Sequence, residues 1–168
     1  RLAAMTMRPP RTEQELDDLL SEPRSSTVTA LVKAPGDVVV LGAGGKMGPT
    51  LARLVRRCVD EAGAGERRVI AVSRWGDAAA ERALREQGVE TMRADLTDRD
   101  AVAFLPDAPN VVFMAGQKFG TTGAPAATWA MNVLVPALCA DRYRDARFAA
   151  FSTGNVYPLV PVASGGSR

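Results

Sequence analysis

Residues 37–57 read DVVVLGAGGKMGPTLARLVRR, and this stretch constrains the fold more than any other. Val38, Val39, Val40 and Leu41 make a short apolar run, rich in β-branched residues, as expected of a strand buried on both faces. Gly42, Gly44, Gly45 and Gly48 follow, and then Leu51, Leu54 and Val55 recur at helical spacing. Strand, glycine turn and helix in that order are the context in which the backbone can cradle a phosphate. The glycines are expected to serve different ends. Gly42 permits the tight turn, Gly45 lets the backbone approach a pyrophosphate, and Gly48 lets the helix pack near the strand where a Cβ would clash. Amides at the helix start, together with the helix dipole, then favour the negative charge. The spacing is Gly42-x-x-Gly45-x-x-Gly48 with Gly44 as an extra, but G-x-G-x-x-G also fits if Met47 takes the last glycine's place. Spacing alone does not choose between these subtypes, and a plain glycine turn stands as the alternative to dinucleotide binding.

The rest of the composition narrows the chemistry. A chain of 168 residues that is 46% apolar and 24% charged can bury one substantial core. A net charge of +2 implies no nucleic-acid partner, although small anionic ligands remain open. The chain has no histidine, which excludes Ser-His-Asp and Cys-His catalysis within it. Cys58 and Cys139 lie far apart in expected helices; they make neither a disulfide framework nor a metal set, and a reducing compartment is expected. No apolar run approaches membrane-spanning length, and no signal-peptide core is present at the start, so no membrane partner is expected and the chain reads as cytoplasmic.

Along the chain, residues 1–35 read as a helical appendage whose first eleven residues lack periodicity. Thr12-Glu13-Gln14-Glu15 is a capping box opening a short helix, and a second short helix or turn is expected from Ser26 to Lys33. Further strands are expected at Val69–Ser73, Val89–Met92, Val111–Met114 and Phe148–Ser152. Between them fall a helix capped by Asp77, a short one capped by Asp98, and a long one from Pro125 to Asp141. Short apolar strands alternating with helices predict an α/β fold: a doubly wound, Rossmann-like parallel sheet of order 3-2-1-4-5 over residues 36–158. Residues 159–168 read as a cut or flexible loop.

In such a sheet, ligands sit beyond the carboxyl ends of the strands. An NAD site would place an acid after the second strand, but Ser73, Arg74 and Trp75 stand there. Arg74 suits a 2′-phosphate, so NADP is the preferred cofactor with NAD as the other choice; a solvated surface arginine is the alternative. Lys46 and Met47 join the cofactor-binding residues from inside the glycine turn. After the third strand, Asp95 is expected to accept from the adenine amino group and Leu96 to cover the ring, or Asp95 merely to start the next turn. After the fourth, Ala115 and Gly116 allow ribose and nicotinamide to pass near backbone, while Gln117 and Lys118 face substrate or phosphates, unless the loop is only flexible.

Taken together, the glycine turn, Arg74, Asp95-Leu96, Ala115-Gly116, Asn132 and Ser152-Thr153-Gly154-Asn155-Val156-Tyr157 resemble the extended short-chain dehydrogenase/reductases. These are NAD(P)-dependent epimerases and dehydratases of nucleotide sugars and similar hydroxyl or carbonyl substrates. The resemblance covers residues 37–158. It implies that Thr153, or its neighbour Ser152, holds the small-molecule substrate through a hydroxyl, and that Asn132 helps position a catalytic lysine. A homodimer of the complete protein is left open.

Three departures qualify it. Val133 to Pro136 follow Asn132 in place of small residues, and Pro158 replaces the usual glycine after Tyr157. The chain also lacks the family's Tyr-x-x-x-Lys acid/base pair: its lysines are Lys33, Lys46 and Lys118, none four residues after a tyrosine. Tyr143 with Arg147 is a near match, but arginine cannot tune a proton relay, and Tyr143 is expected at a helix-end surface. Tyr157 is expected to be structural. Two explanations follow: a chain cut before its catalytic part and therefore inactive alone, or a non-catalytic NADP-binding redox sensor. A methyltransferase on a similar sheet ranks below both, since it wants an acid where Arg74 stands.

Overall fold

Strand side chains alternate between two apolar layers, and this alternation builds the molecule. The computed structural model describes residues 8–117, 123–152, 160, 161, 163 and 165. Its strands are β1 (Val38–Leu41), β2 (Val69–Ser73), β3 (Glu90–Arg93), β4 (Asn110–Phe113) and β5 (Arg147–Ala150). All neighbours pair in parallel, in the order β3-β2-β1-β4-β5, as the alternation of strands and helices predicts. Val38, Val40, Val69 and Ala71 point to one face. There they meet Ala52, Val55 and Val59 of α3 (Gly48–Glu61) and Leu84 of α4 (Ala78–Glu86). Val39, Leu41, Ile70, Val72, Val111 and Phe113 point to the other. Burying each such side chain contributes about 1.5–3 kcal/mol.

Capping chemistry sets the helix starts. Asp77 accepts the amides of Ala79 and Ala80 to open α4, and Asp98 does the same for Asp100 and Ala101 at α5 (Arg99–Ala103). Thr12 caps α1 (Glu13–Leu20) by accepting the Glu15 amide at 3.1 Å. The reciprocal bond of the box slips by one residue, since Glu15 accepts from the Arg11 amide instead of from Thr12. Both N-terminal helices lie on α3: Arg53 pairs with Asp18 of α1, and Arg57 donates to Ser21 at 3.2 Å. The second helix, α2, spans Ser25–Val32.

Two expectations change here. The long helix from Pro125 to Asp141 is not one regular α-helix. It comprises α6 (Pro125–Trp129), a π-helical turn (Ala130–Leu134) and α7 (Val135–Arg142). The reason is Pro136, which has no N–H for the Asn132 carbonyl and whose ring crowds it. The wider turn resolves that clash, with the Val135 amide bonding Ala130 O five residues back. Strand limits also shift: β3 runs to Arg93, β4 starts at Asn110, and β5 covers Arg147–Ala150, two residues short of Ser152. Among the described residues, no helix is long and apolar enough to cross a membrane.

Candidate functional site

β1 leaves the sheet into a turn held by the chain's own backbone. The amides of Gly42 and Ala43 both bond Val72 O, at 2.9 and 3.0 Å, and the Gly48 amide bonds Gly45 O at 3.1 Å. Gly42 has φ +85°, and a Cβ there would lie 2.5 Å from the Ala115 amide nitrogen, just past β4. Gly48 is more constrained still, since its Cβ would lie 2.1 Å from Ala43 O. A Cβ on Gly44, an extra in the motif spacing, would meet the Ser73 hydroxyl oxygen at 2.4 Å, a contact that rotation of the serine side chain relieves. Gly45 differs from these three. A Cβ on it would meet no protein atom closer than Gly42 O at 3.6 Å, so packing alone does not demand glycine there.

The turn forms one wall of a cleft of about 470 Å³ beyond the carboxyl ends of the strands. Gly42, Gly44, Gly45, Ser73, Arg74, Asp95, Leu96, Ala115 and Gly116 line it, which brings together nine of the expected cofactor-binding residues. Lys46 and Met47 are exposed and do not line it, and Gly48 is buried beneath the turn. A smaller hollow, about 350 Å³ between Asp107 and Ala146, opens at the opposite end of the sheet, away from every strand-end motif.

Arg74 is exposed at the lip and makes no hydrogen bond or ion pair among the described residues. Asp95 does two things at once. Its Oδ1 accepts the Thr97 amide at 3.0 Å and the Thr97 hydroxyl at 2.7 Å, so it does initiate the next turn. Those two bonds, aided by the charge of Arg74, hold its carboxyl below the usual range. Leu96 is a core residue, 6% exposed, with an edge in the cleft.

Asn132 sits in the π-helical turn and clasps the loop after β4. Its Oδ1 accepts the Gln117 amide at 2.8 Å, and its Nδ2 donates to Gln117 O at 2.9 Å. It therefore shapes the loop that carries Ala115 and Gly116. Ser152 is exposed just after β5 and outside the cleft lining. Thr153, Tyr157 and Lys118 lie outside the described residues.

Sequence reasoning passed over Trp75, Gly76, Arg93, Ala94, Met114 and Met131 as lining residues. Arg93 and Met114 lie at strand ends and had a signal, but ending the third strand at Met92 left Arg93 unread. Met131 comes from a distant helix and had none. Trp75 is 3% exposed, holds φ +48°, and donates its indole N–H to Met92 O at 3.0 Å. That bond pins the β2–α4 connection against β3.

Tyr143 is not a surface residue, contrary to expectation. It closes α7 with its ring 3% exposed in the core, and its hydroxyl donates to Pro106 O at 2.9 Å. Burial pushes its phenol up to about 12 and the neighbouring Cys139 thiol up to about 11. Both folded values lie above the ordinary 10.0 and 9.0, so the neutral forms stabilise the fold fully below pH 9 and lose that effect as pH rises towards 12. The urea midpoint should therefore fall steeply above about pH 9, and less steeply in Tyr143→Phe. A midpoint that stays flat through this range would contradict the burial of both groups.

The comparisons with known proteins follow the same outline. A family model for the NAD dependent epimerase/dehydratase family matches residues 38–165. No curated protein matches the chain. Among solved structures, an L-threonine dehydrogenase from Clostridium difficile is similar at 20% identity and TM-score 0.55, over 68% of this chain and 35% of that one. BdcA (YjgI) from E. coli is similar at 21% identity and TM-score 0.53, over 68% of this chain and 62% of that one. These likenesses concern the fold, and this chain spans less than two thirds of either structure's length.

Proposed function

The chain belongs to the NAD-dependent epimerase/dehydratase family, and from that premise we propose that its cleft is the dinucleotide site of an NAD(P)-dependent oxidoreductase, epimerase or dehydratase. One observation carries the reading. Gly42 and Ala115 abut where the strand order reverses, between β1 and β4, and the turn they frame opens onto the start of α3. Gly45 fits the same role, since a Cβ there would meet only Gly42 O at 3.6 Å and the space beside it is open to a ligand. In this reading the pyrophosphate lies against the glycine turn at the start of α3, where the helix dipole favours its charge.

When bound, a nicotinamide cofactor supplies hydride transfer. The chain's own residues bind and orient it: Asp95 and Leu96 at the adenine end, Ala115 and Gly116 where ribose and nicotinamide pass. Asn132 keeps that passage in shape through Gln117. In this proposal Thr153 or Ser152 orients a substrate hydroxyl or carbonyl, such as that of a nucleotide sugar. No residue of the chain supplies the lysine-tuned phenolate, so the proposal gives residues 1–168 binding and positioning, without proton transfer.

Arg74 makes NADP the proposed cofactor, because a guanidinium suits a phosphate dianion and no acid directly follows β2 to hold a free 2′-hydroxyl, the next one, Asp77, being the cap of α4. NADPH should bind more tightly than NADH by roughly 1.5–3 kcal/mol, on the order of ten- to a hundredfold. Arg74→Ala should lower NADPH affinity about tenfold and leave NADH unchanged. Trp75 fluorescence reports both, since its ring lies in the cleft wall. Equal binding of the two cofactors would sink the NADP assignment, and binding of neither would sink the dinucleotide reading.

A further inference from the structure

Arg93 ends β3 directly across from Ser73, with which it is in register. Partners in neighbouring parallel strands lie about 4.8 Å apart and face the same way. Ser73 faces the glycine turn, because its hydroxyl fills the space a Gly44 side chain would need. Arg93 therefore leaves the sheet on the side of α3 and α4, and its Nη2 reaches Glu81 of α4 at 3.4 Å. Arg74 is the residue after Ser73, and both arginines line the cleft.

The charges around that point leave a positive surplus. Glu81, with a side chain 12% exposed, is already matched: its Oε1 accepts from Arg85 and from the Thr91 hydroxyl. Only the long bond from Arg93 falls on its Oε2 among the described residues. Asp95 is the one acid lining the cleft among those residues, and its Oδ1 is taken up by Thr97. Three arginines thus face two carboxylates, and Arg93 keeps donors to spare for an anion.

We propose that Arg93 is a specificity-determining residue for NADP, holding the 2′-phosphate from the β3 side while Arg74 holds it from the β2 side. This rests on the dinucleotide reading of the cleft. Guanidinium forks suit a phosphate, and the cleft lining supplies two of them. A phosphomonoester at the ribose 2′ position is therefore the ligand chemistry that the lip is built to read.

Calorimetric titration tests it on the whole chain, with NADPH, NADH, adenosine 2′,5′-bisphosphate and 5′-AMP as probes. Arg93→Gln should weaken NADPH and the bisphosphate about tenfold and leave NADH and 5′-AMP within about twofold. Arg93→Lys should recover part of the loss, and Arg74→Gln combined with Arg93→Gln should lose more than either change alone. An Arg93→Gln that weakens all four probes equally would mean that Arg93 only shapes the loop, and the proposal would fall. An unchanged NADPH preference would overturn it while leaving the dinucleotide reading intact. Wild-type chain that binds no probe would overturn both.

Discussion

Replacing Gly48 by alanine should destabilise the chain by about 3 kcal/mol and abolish dinucleotide binding. The added carbon would lie 2.1 Å from Ala43 O, 2.5 Å from Ala43 C and 2.6 Å from Ala43 Cα. All three are backbone atoms of the same turn, so no side chain can rotate out of the way. Ala43 is itself 0% exposed, enclosed with Val40 and Ala52, and cannot yield toward the sheet. The start of α3 must then lift away from β1. Its amides leave the glycine turn, and Ala52, Val55 and Val59 lose contact with Val38 and Val40. For a chain of this size the melting temperature should fall by roughly 6–12 °C. Gly76→Ala is the matched control: a Cβ there meets nothing within 4 Å, and its stability should stay within about 0.5 kcal/mol of wild type. If Gly48→Ala proved as stable as that control, the close packing of helix on strand would be wrong.

The second large effect concerns a buried cation far from the cleft. Arg67 is 8% exposed, and its guanidinium donates to three carbonyls: Gly36 O at 2.7 Å, Leu31 O at 3.0 Å and Ala34 O at 2.7 Å. Leu31 lies in the last turn of α2, whose dipole favours a cation there. From the other side, Asn110 Nδ2 donates to Pro35 O at 3.0 Å and Asp37 O at 3.1 Å. The connection between the N-terminal helices and β1 is held in this double grip. Arg67→Met should cost about 3–4 kcal/mol, because it strips charged donors from carbonyls that stay partly buried. Arg67→Lys should rescue little, since one ammonium cannot span three carbonyls as the fork does. Limited proteolysis should show cleavage between residues 22 and 36 in Arg67→Met before the core is cut. Equal protease resistance in variant and wild type would remove Arg67 from this role.

Much of the fold was legible because its signals are local. Val38–Leu41 and Val69–Ser73 are too apolar and β-branched for anything but strands buried on both faces, and the intervening helix demands a parallel crossover. The glycine turn was legible for the same reason: a positive φ at Gly42 and a blocked Cβ at Gly48 arise within a few residues of chain. Asp77 and Asp98 announced helix starts because a cap needs only its own next three residues.

What the tertiary structure decided depends on partners distant in sequence. Gly44 faces the Ser73 hydroxyl, 29 residues on, a contact that no spacing rule encodes. Tyr143 looked like a helix-end surface residue, but its hydroxyl finds Pro106 O and its ring finds the core under β4. Arg93 reaches the cleft through strand register, and register follows from how the two faces pack. The sequence alone therefore determined the order of elements and the glycine turn, because their signals lie within short stretches of chain. Which side chains complete the lip, and which titratable groups are buried, was decided only when the sheet brought separate units side by side.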